Sequence, residues 1–454
     1  MWMLLLLTFT NAIMRSDWIN SEFLRIPLGS FPVNINDWLI VAALLTTLFP
    51  KGQHFFETER THPALIWAIG LFLLALMGAG FGAVTNGATA RQISTTARNL
   101  VEVPILAYLG YRLIPRPSSA VAMCYILIFA GIGASASIFL AFKGGAEELT
   151  TGTDITTVRV IQYVTNYGMI AAAMLLFSIG SGVRPLFRAW IALPLAAFCF
   201  LGPFATLSRS DWLAIVASLV TAVAIMPKYR VSSKVFFSIL FSLVMGVALM
   251  GAIFMASSLT GKDVGAKMMT RLESLLPGDY EGVKVKAWDT RTSGSWEEIK
   301  LWVKSPIIGG GFGIQDTHLE NELLANGARH NAWTSTLAES GLIGFSAFLI
   351  VCVAQIVVGR RMIRDHLDRG TVLIGGLGVI TGVQFIIYGY CTMSFNQVRW
   401  AIPLALTFGT VMRCRMMQLT VLRQYEGYLP TPSNGATGHG ALLDEATPLA
   451  PSGF

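Results

Sequence analysis

Arg329 and His330 stand immediately ahead of NAWTSTLAESGLIG, a stretch of helical character that soon turns apolar enough to enter a membrane. An imidazole changes charge near neutral pH and can take or give a proton there, whereas an arginine is a fixed cation whose planar fork of donors matches phosphate. Upstream lie Arg291, then SGSWEEIKLWVKS, then Pro306 and the run IIGGGFG. Each part alone is weak. A histidine at a helix start is most often a solvated or capping group, and a glycine run permits unusual backbone angles without specifying a ligand. The run is not a nucleotide-binding loop, because no Gly-Lys-Ser/Thr follows it.

The elements that must position these groups are membrane helices. The 454 residues are 54% hydrophobic and only 13% charged, with a mean hydropathy of +0.59, against about 25% charged for a typical soluble domain. Apolar runs recur at 34–49, 64–84, 98–111, 119–142, 163–181, 187–206, 210–227, 235–256, 334–357, 371–393 and 396–412. With MWMLLLLTFTNAIM as a clipped or tilted first helix, they give about twelve spans, since a hydrocarbon core of roughly 30 Å takes about 20 helical residues. Backbone groups in lipid must be satisfied within the segment, so the expected fold is an all-α polytopic bundle without strands. Net charge is +7, but the basic residues fall in loops between apolar runs, where they report topology rather than nucleic-acid binding. The five cysteines are scattered, without a CxxC pair, and read as packing residues. Glycine groups such as Gly78, Gly80 and Gly82, or Gly131 and Gly133, read as sites of close helix approach.

Lys and Arg in the short loops set the orientation. Lys51 and Arg60, Arg112 and Arg116, Arg184 and Arg188, Lys228 to Lys234, Arg360 to Arg369, and the tail after Arg413 mark the cytoplasmic side. Residues 257–333 then form one large outward loop, with Arg209 and His330 on the same side. The sequence therefore divides into N-terminal helices to 256, the loop 257–333, C-terminal helices 334–413, and a Pro/Gly-rich tail 414–454 read as disordered. Within the loop, Trp296, Ile299 and Val303 recur at helical spacing, which fits a helix lying at the membrane interface or one packed on the bundle.

The order of parts resembles the signature of the O-antigen ligase and O-antigen polymerase superfamily. The matching residues are Arg291, Trp296, Pro306, Gly309, Gly311, Gly313, His330, Asn331, Glu339, Gly341, Leu342, Ile343 and Gly344. Two departures stand out: the Arg291-to-Trp296 gap is longer than usual for the family, and Trp333 stands near where the family often has an aromatic or apolar residue. SRSDWL, with Arg209 and Leu213, is similar to a further Arg-x-x-x-Leu pattern that opens a mid-chain helix in the family.

The resemblance implies a membrane glycosyltransferase of GT-C-like architecture in the bacterial cytoplasmic membrane, with both termini inside and the active site periplasmic. Its donor would be an undecaprenyl-pyrophosphate-linked glycan and its acceptor a sugar hydroxyl on lipid A-core or on a growing glycan. Arg209 and Arg291 would face the pyrophosphate as charge gathers on it. His330 would act as general base, Arg329 would disfavour its protonation, and Asn331 would cap the helix or orient the imidazole. No metal or other cofactor would be required. Three alternatives remain at this level: a polymerase in place of a ligase, a transporter of lipid-linked sugar, and a scaffold. A transporter should carry ionisable residues near the bilayer midplane, whereas here they gather at helix ends and in one loop.

Overall fold

A computed structural model describes residues 2–13, 26–28, 31–33, 35–48, 61–114, 116–143, 148–150, 156–158, 165–206, 209–226, 295–313, 331–365, 367–391 and 398–428. Its bundle comprises α1 (Trp2–Ile13), α2 (Ile35–Leu48), α3 (Pro63–Thr85), α4 (Ala90–Arg112), α5 (Pro117–Lys143), α6 (Thr165–Gly180), α7 (Ala189–Ala205) and α8 (Arg209–Ala224). A short helix α9 spans 295–304, and α10 (Ala332–Asp365), α11 (Arg369–Cys391) and α12 (Val398–Tyr428) complete the described set.

Every expected apolar run except 235–256, which lies outside the described residues, falls on one of these helices. The ends differ where polar sequence extends a helix past its apolar window: α4 begins at Ala90 and α12 continues to Tyr428. Residues 414–428, assigned to the tail by composition, therefore belong to a helix. Hydropathy marks the part of a helix that needs lipid or core, but hydrogen bonding does not stop there. Among the described residues, four helices, Pro63–Thr85, Ser119–Leu140, Ala332–Asp365 and Arg369–Tyr390, are long and apolar enough to cross a membrane by themselves. The chain is a polytopic α-helical membrane protein.

The expectation of no strands needs one correction. Two antiparallel three-residue ladders occur, β1 (Ile26–Leu28) with β2 (Phe31–Val33), and β3 (Glu148–Thr150) with β4 (Thr156–Val158). Both lie in connections between helices, where residues outside the hydrocarbon are free to pair in extended form.

The core sits around α6 and α11, which are buried on nearly every face. Helix α3 is peripheral. It turns Trp67, Met77, Phe81 and Val84 outward and packs its other face on α10, with Phe72 and Phe348 edge to face at 4.9 Å. Gly131 on α5 bears out the close-packing reading, since a Cβ there would strike the backbone of Tyr167 and the side chain of Ala171 on α6. Gln355 ties α10 to α12 through the Leu404 carbonyl at 3.3 Å, a polar link of the kind that substitutes for hydrophobic drive in lipid.

Side-chain contacts separate the helix termini into two faces. On one, the Arg369 guanidinium donates to the carbonyls of Arg184 (2.7 Å) and Pro185 (3.1 Å), Tyr125 donates to Leu186, and Arg415 pairs with Asp365 at 2.5 Å. On the other, Asn86 meets Gly310, Trp333 meets Ile386, and Thr165 and Tyr388 meet beside Asp211. The first face collects the basic short-loop ends; the second collects every described part of the signature.

At the basic face His62 caps α3, its Nδ1 accepting from Ala64 N at 3.2 Å. Burial, and then the nearby Arg415 and Arg361 charges, lower its pKa from the ordinary value. A lowered folded-state pKa means the unfolded chain binds the proton more readily. The associated stability is thus fully present above about 6.5 and declines as pH falls below it toward the folded-state value. The purified protein should lose thermal stability between pH 7.5 and pH 5.5, and H62N, which keeps a capping oxygen without titrating, should lose less. Equal losses in parent and variant would reject the assignment.

Candidate active site

The site is built around a break in a helix. Gly341 lies inside α10 at φ 61° and ψ −162°, so the chain is two helical pieces meeting at that residue. In an unbroken helix Leu342 N would donate to Ala338 and Ile343 N to Glu339. Here the loop that follows α9 enters the gap. Gly310 N donates to the Ala338 carbonyl (2.8 Å) and Gly311 N to Glu339 (3.0 Å), while Leu342 N and Ile343 N donate to Pro306 (2.9 Å) and Ile307 (3.2 Å). The four backbone groups of those two helical bonds all find partners in the signature loop.

The glycines serve this docking. Gly309, Gly311 and Gly313 all have positive φ, a region that other residues resist. Gly311 also presses on α3, where a Cβ on Gly82 would sit 2.9 Å from it, and Phe312 N donates to the Ala79 carbonyl at 3.2 Å. Gly78 and Gly82 thus receive a loop rather than a neighbouring helix, and Gly80 faces open space. Asn86, just past α3, donates its side-chain amide to Gly310.

Pro306 ends the preceding turn, and its carbonyl also accepts from Trp302 Nε1 at 2.9 Å. The expected apolar face of α9 is the exposed one: Trp296 is 57% and Val303 64% accessible. The packed face instead carries Leu301 and Glu298, the latter only 1% exposed. The helix is packed on the bundle, but not by its apolar face. It packs on α10 through Glu298 and Leu301, and turns an amphipathic, Trp-bearing face outward.

Asn331 caps α10. Its buried side-chain oxygen accepts from Trp333 N (3.0 Å) and Thr334 N (3.3 Å). Trp333 anchors the same turn to α11 through Nε1 and the Ile386 carbonyl at 3.0 Å. His330 is the residue bonded to this cap; it, Arg329 and Arg291 lie outside the described residues. Arg209 is the first residue of α8, at the same face of the bundle.

Beside Arg209 is a polar cluster that residue spacing did not reveal. Both Asp211 carboxylate oxygens are held, one by Tyr388 from α11 and one by Thr206, each at 2.8 Å, and Tyr388 also meets Thr165 at 2.9 Å. All four side chains are buried. Asp211 had a signal of a kind, being two residues from Arg209 in SRSDWL; Tyr388 and Thr165 had none, because only tertiary packing brings three helix ends together. A second charged group, Arg98 between Asp37 and Glu102, joins α4 to α2.

Residues 194–349 match the family model described as O-antigen ligase. The matched stretch runs from within α7, through α8, α9 and the glycine loop, to the middle of α10 past its break. The match covers about a third of the chain and is a likeness of this region to O-antigen ligases. No curated protein matches the chain.

Two outcomes test this architecture. In G341A a Cβ would meet the Ile307 carbonyl oxygen in a conformation that alanine resists, so stability should fall by about 3 kcal/mol or more. G70A on α3, where nothing lies within 4 Å of an added Cβ, should unfold with the parent. Y388F withdraws one of the donors to buried Asp211 and should cost about 1–3 kcal/mol, read as a lower midpoint of thermal unfolding in detergent.

Proposed function

We propose that the chain is a membrane glycosyltransferase, an O-antigen ligase that moves a glycan from undecaprenyl pyrophosphate to a sugar hydroxyl on lipid A-core. The observation that carries this reading is the docking of the glycine loop into broken α10. It gathers the parts matched by the family model and holds the capped turn next to His330 on the same face as the start of α8, where Arg209 stands.

The chemistry asks three things of the chain. A sugar hydroxyl is a poor nucleophile until its proton is removed in the transition state, and neutral His330 is suited to accept it at neutral pH. The hydroxyl oxygen then bonds to C1 of the donor sugar as the bond from C1 to the pyrophosphate oxygen breaks. Attack from the opposite face inverts the anomeric centre without a covalent enzyme intermediate. The leaving pyrophosphate keeps the bonding electron pair, and Arg209 and Arg291 stabilise the charge it gains. Arg329 disfavours a second positive charge on the imidazole, keeping it ready to accept. Asn331 fixes the backbone that presents it. The site faces the periplasmic side of the inner membrane, where both donor and core acceptor are displayed.

In purified protein supplied with donor and acceptor, H330A should lower kcat by about 10²- to 10⁴-fold while leaving donor binding in place. Unchanged turnover would remove the proposed base. Mass spectrometry of products from a deletion strain separates the two kinds of acceptor: core lacking polymer, with polymer left on the carrier, identifies a ligase. Core bearing single repeat units identifies a polymerase and overturns the ligase assignment.

A further inference from the structure

We propose that Glu298 is a positioning residue for this transfer: its buried carboxylate fixes the first turn of α10 against α9 and so sets where His330 stands relative to Arg291. The inference rests on the reading of His330 as the base.

Glu298 belongs to a helix that turns tryptophan and valine outward and a carboxylate inward. Burying a charge costs several kcal/mol unless it is well paired, and an apolar residue beside Leu301 would hold α9 to α10 at no such cost. What the carboxylate adds is geometry. One oxygen accepts from Ser335 at 2.6 Å and the other from the Thr334 hydroxyl. Adjacent residues on a helix point about 100° apart, so gripping both restrains α10 against rotation as well as sliding. The Asn331 cap and the Trp333 anchor to Ile386 hold the same turn from two other sides.

Both chemistry-bearing residues are tethered close to this grip. His330 is bonded to Asn331, so its Cα lies about 3.8 Å from that of the cap. Arg291 precedes the start of α9 by four residues, a tether of no more than about 14 Å. The grip on Thr334 and Ser335 from Glu298 is thus a polar side-chain link between the segment leaving Arg291 and the segment receiving His330. The glycine loop between them docks farther along α10, at the break.

The test compares parent, H330A, E298Q, S335A and T334V as full-length protein in lipid nanodiscs. It measures kcat, donor KM, unfolding temperature, and the rate at which diethylpyrocarbonate modifies His330, followed by mass spectrometry of its peptide. E298Q keeps the volume but turns one acceptor into a donor facing a hydroxyl. It should lower kcat about 10- to 100-fold with donor KM within about threefold, since misplacement on the order of 1 Å has that effect, and it should change the modification rate by more than about threefold relative to the parent. S335A and T334V each remove one donor and should give smaller losses of the same kind, which decides the matter if E298Q fails to fold. The proposal is overturned if H330A is inactive while all three variants keep kcat within about threefold of the parent. It is also overturned if kcat falls only in step with folded protein and His330 reactivity is unchanged. An active H330A would instead remove the reading of His330 itself, whatever the Glu298 variants do.

Discussion

Backbone groups inside a membrane have no water to fall back on, and α10 breaks where its carbonyls and amides would otherwise be left open. The structure depends on how that break is closed. Two helical hydrogen bonds are given up at Gly341, and four bonds to residues 306–311 replace them. Exchange of this kind requires a loop able to lay its own donors and acceptors alongside a helix at van der Waals distance. That explains the glycines on both sides of the contact: Gly309 and Gly311 on the loop, Gly341 in the helix, and Gly82 on α3 behind it.

From this joint the rest of the site follows outward. The loop fixes the C-terminal end of α9, Glu298 fixes its body to α10, and Asn331 and Trp333 fix the start of α10 to itself and to α11. Helix α11 in turn reaches α8 and α6 through Tyr388. The polar contacts form a connected path from the start of α10 to the helix that begins with Arg209. Connected contacts of this kind hold helix ends at fixed distances, which any positioning of reacting groups requires.

The two faces of the bundle are built differently for the same reason. At the basic face, arginines meet carbonyls and a carboxylate at helix ends, and Arg415 and Arg361 act on His62. At the other, hydroxyls donate to the buried carboxylates of Asp211 and Glu298.

The sequence by itself determined the class of fold, the register of most helices and the order of the signature, because apolar length, basic loops and a glycine run each act locally along the chain. It placed Asn331 at a helix cap and Gly131 at a close contact. It left the packed face of α9 open, because hydrophobic spacing names the apolar side without saying whether protein or lipid lies against it. It gave no sign that the glycine run plugs a break in α10, nor that Tyr388 joins Thr165 to Asp211. Those facts belong to tertiary structure alone: each depends on hydrogen bonds between residues far apart in the chain, and only the packing of helix ends decides which of them meet.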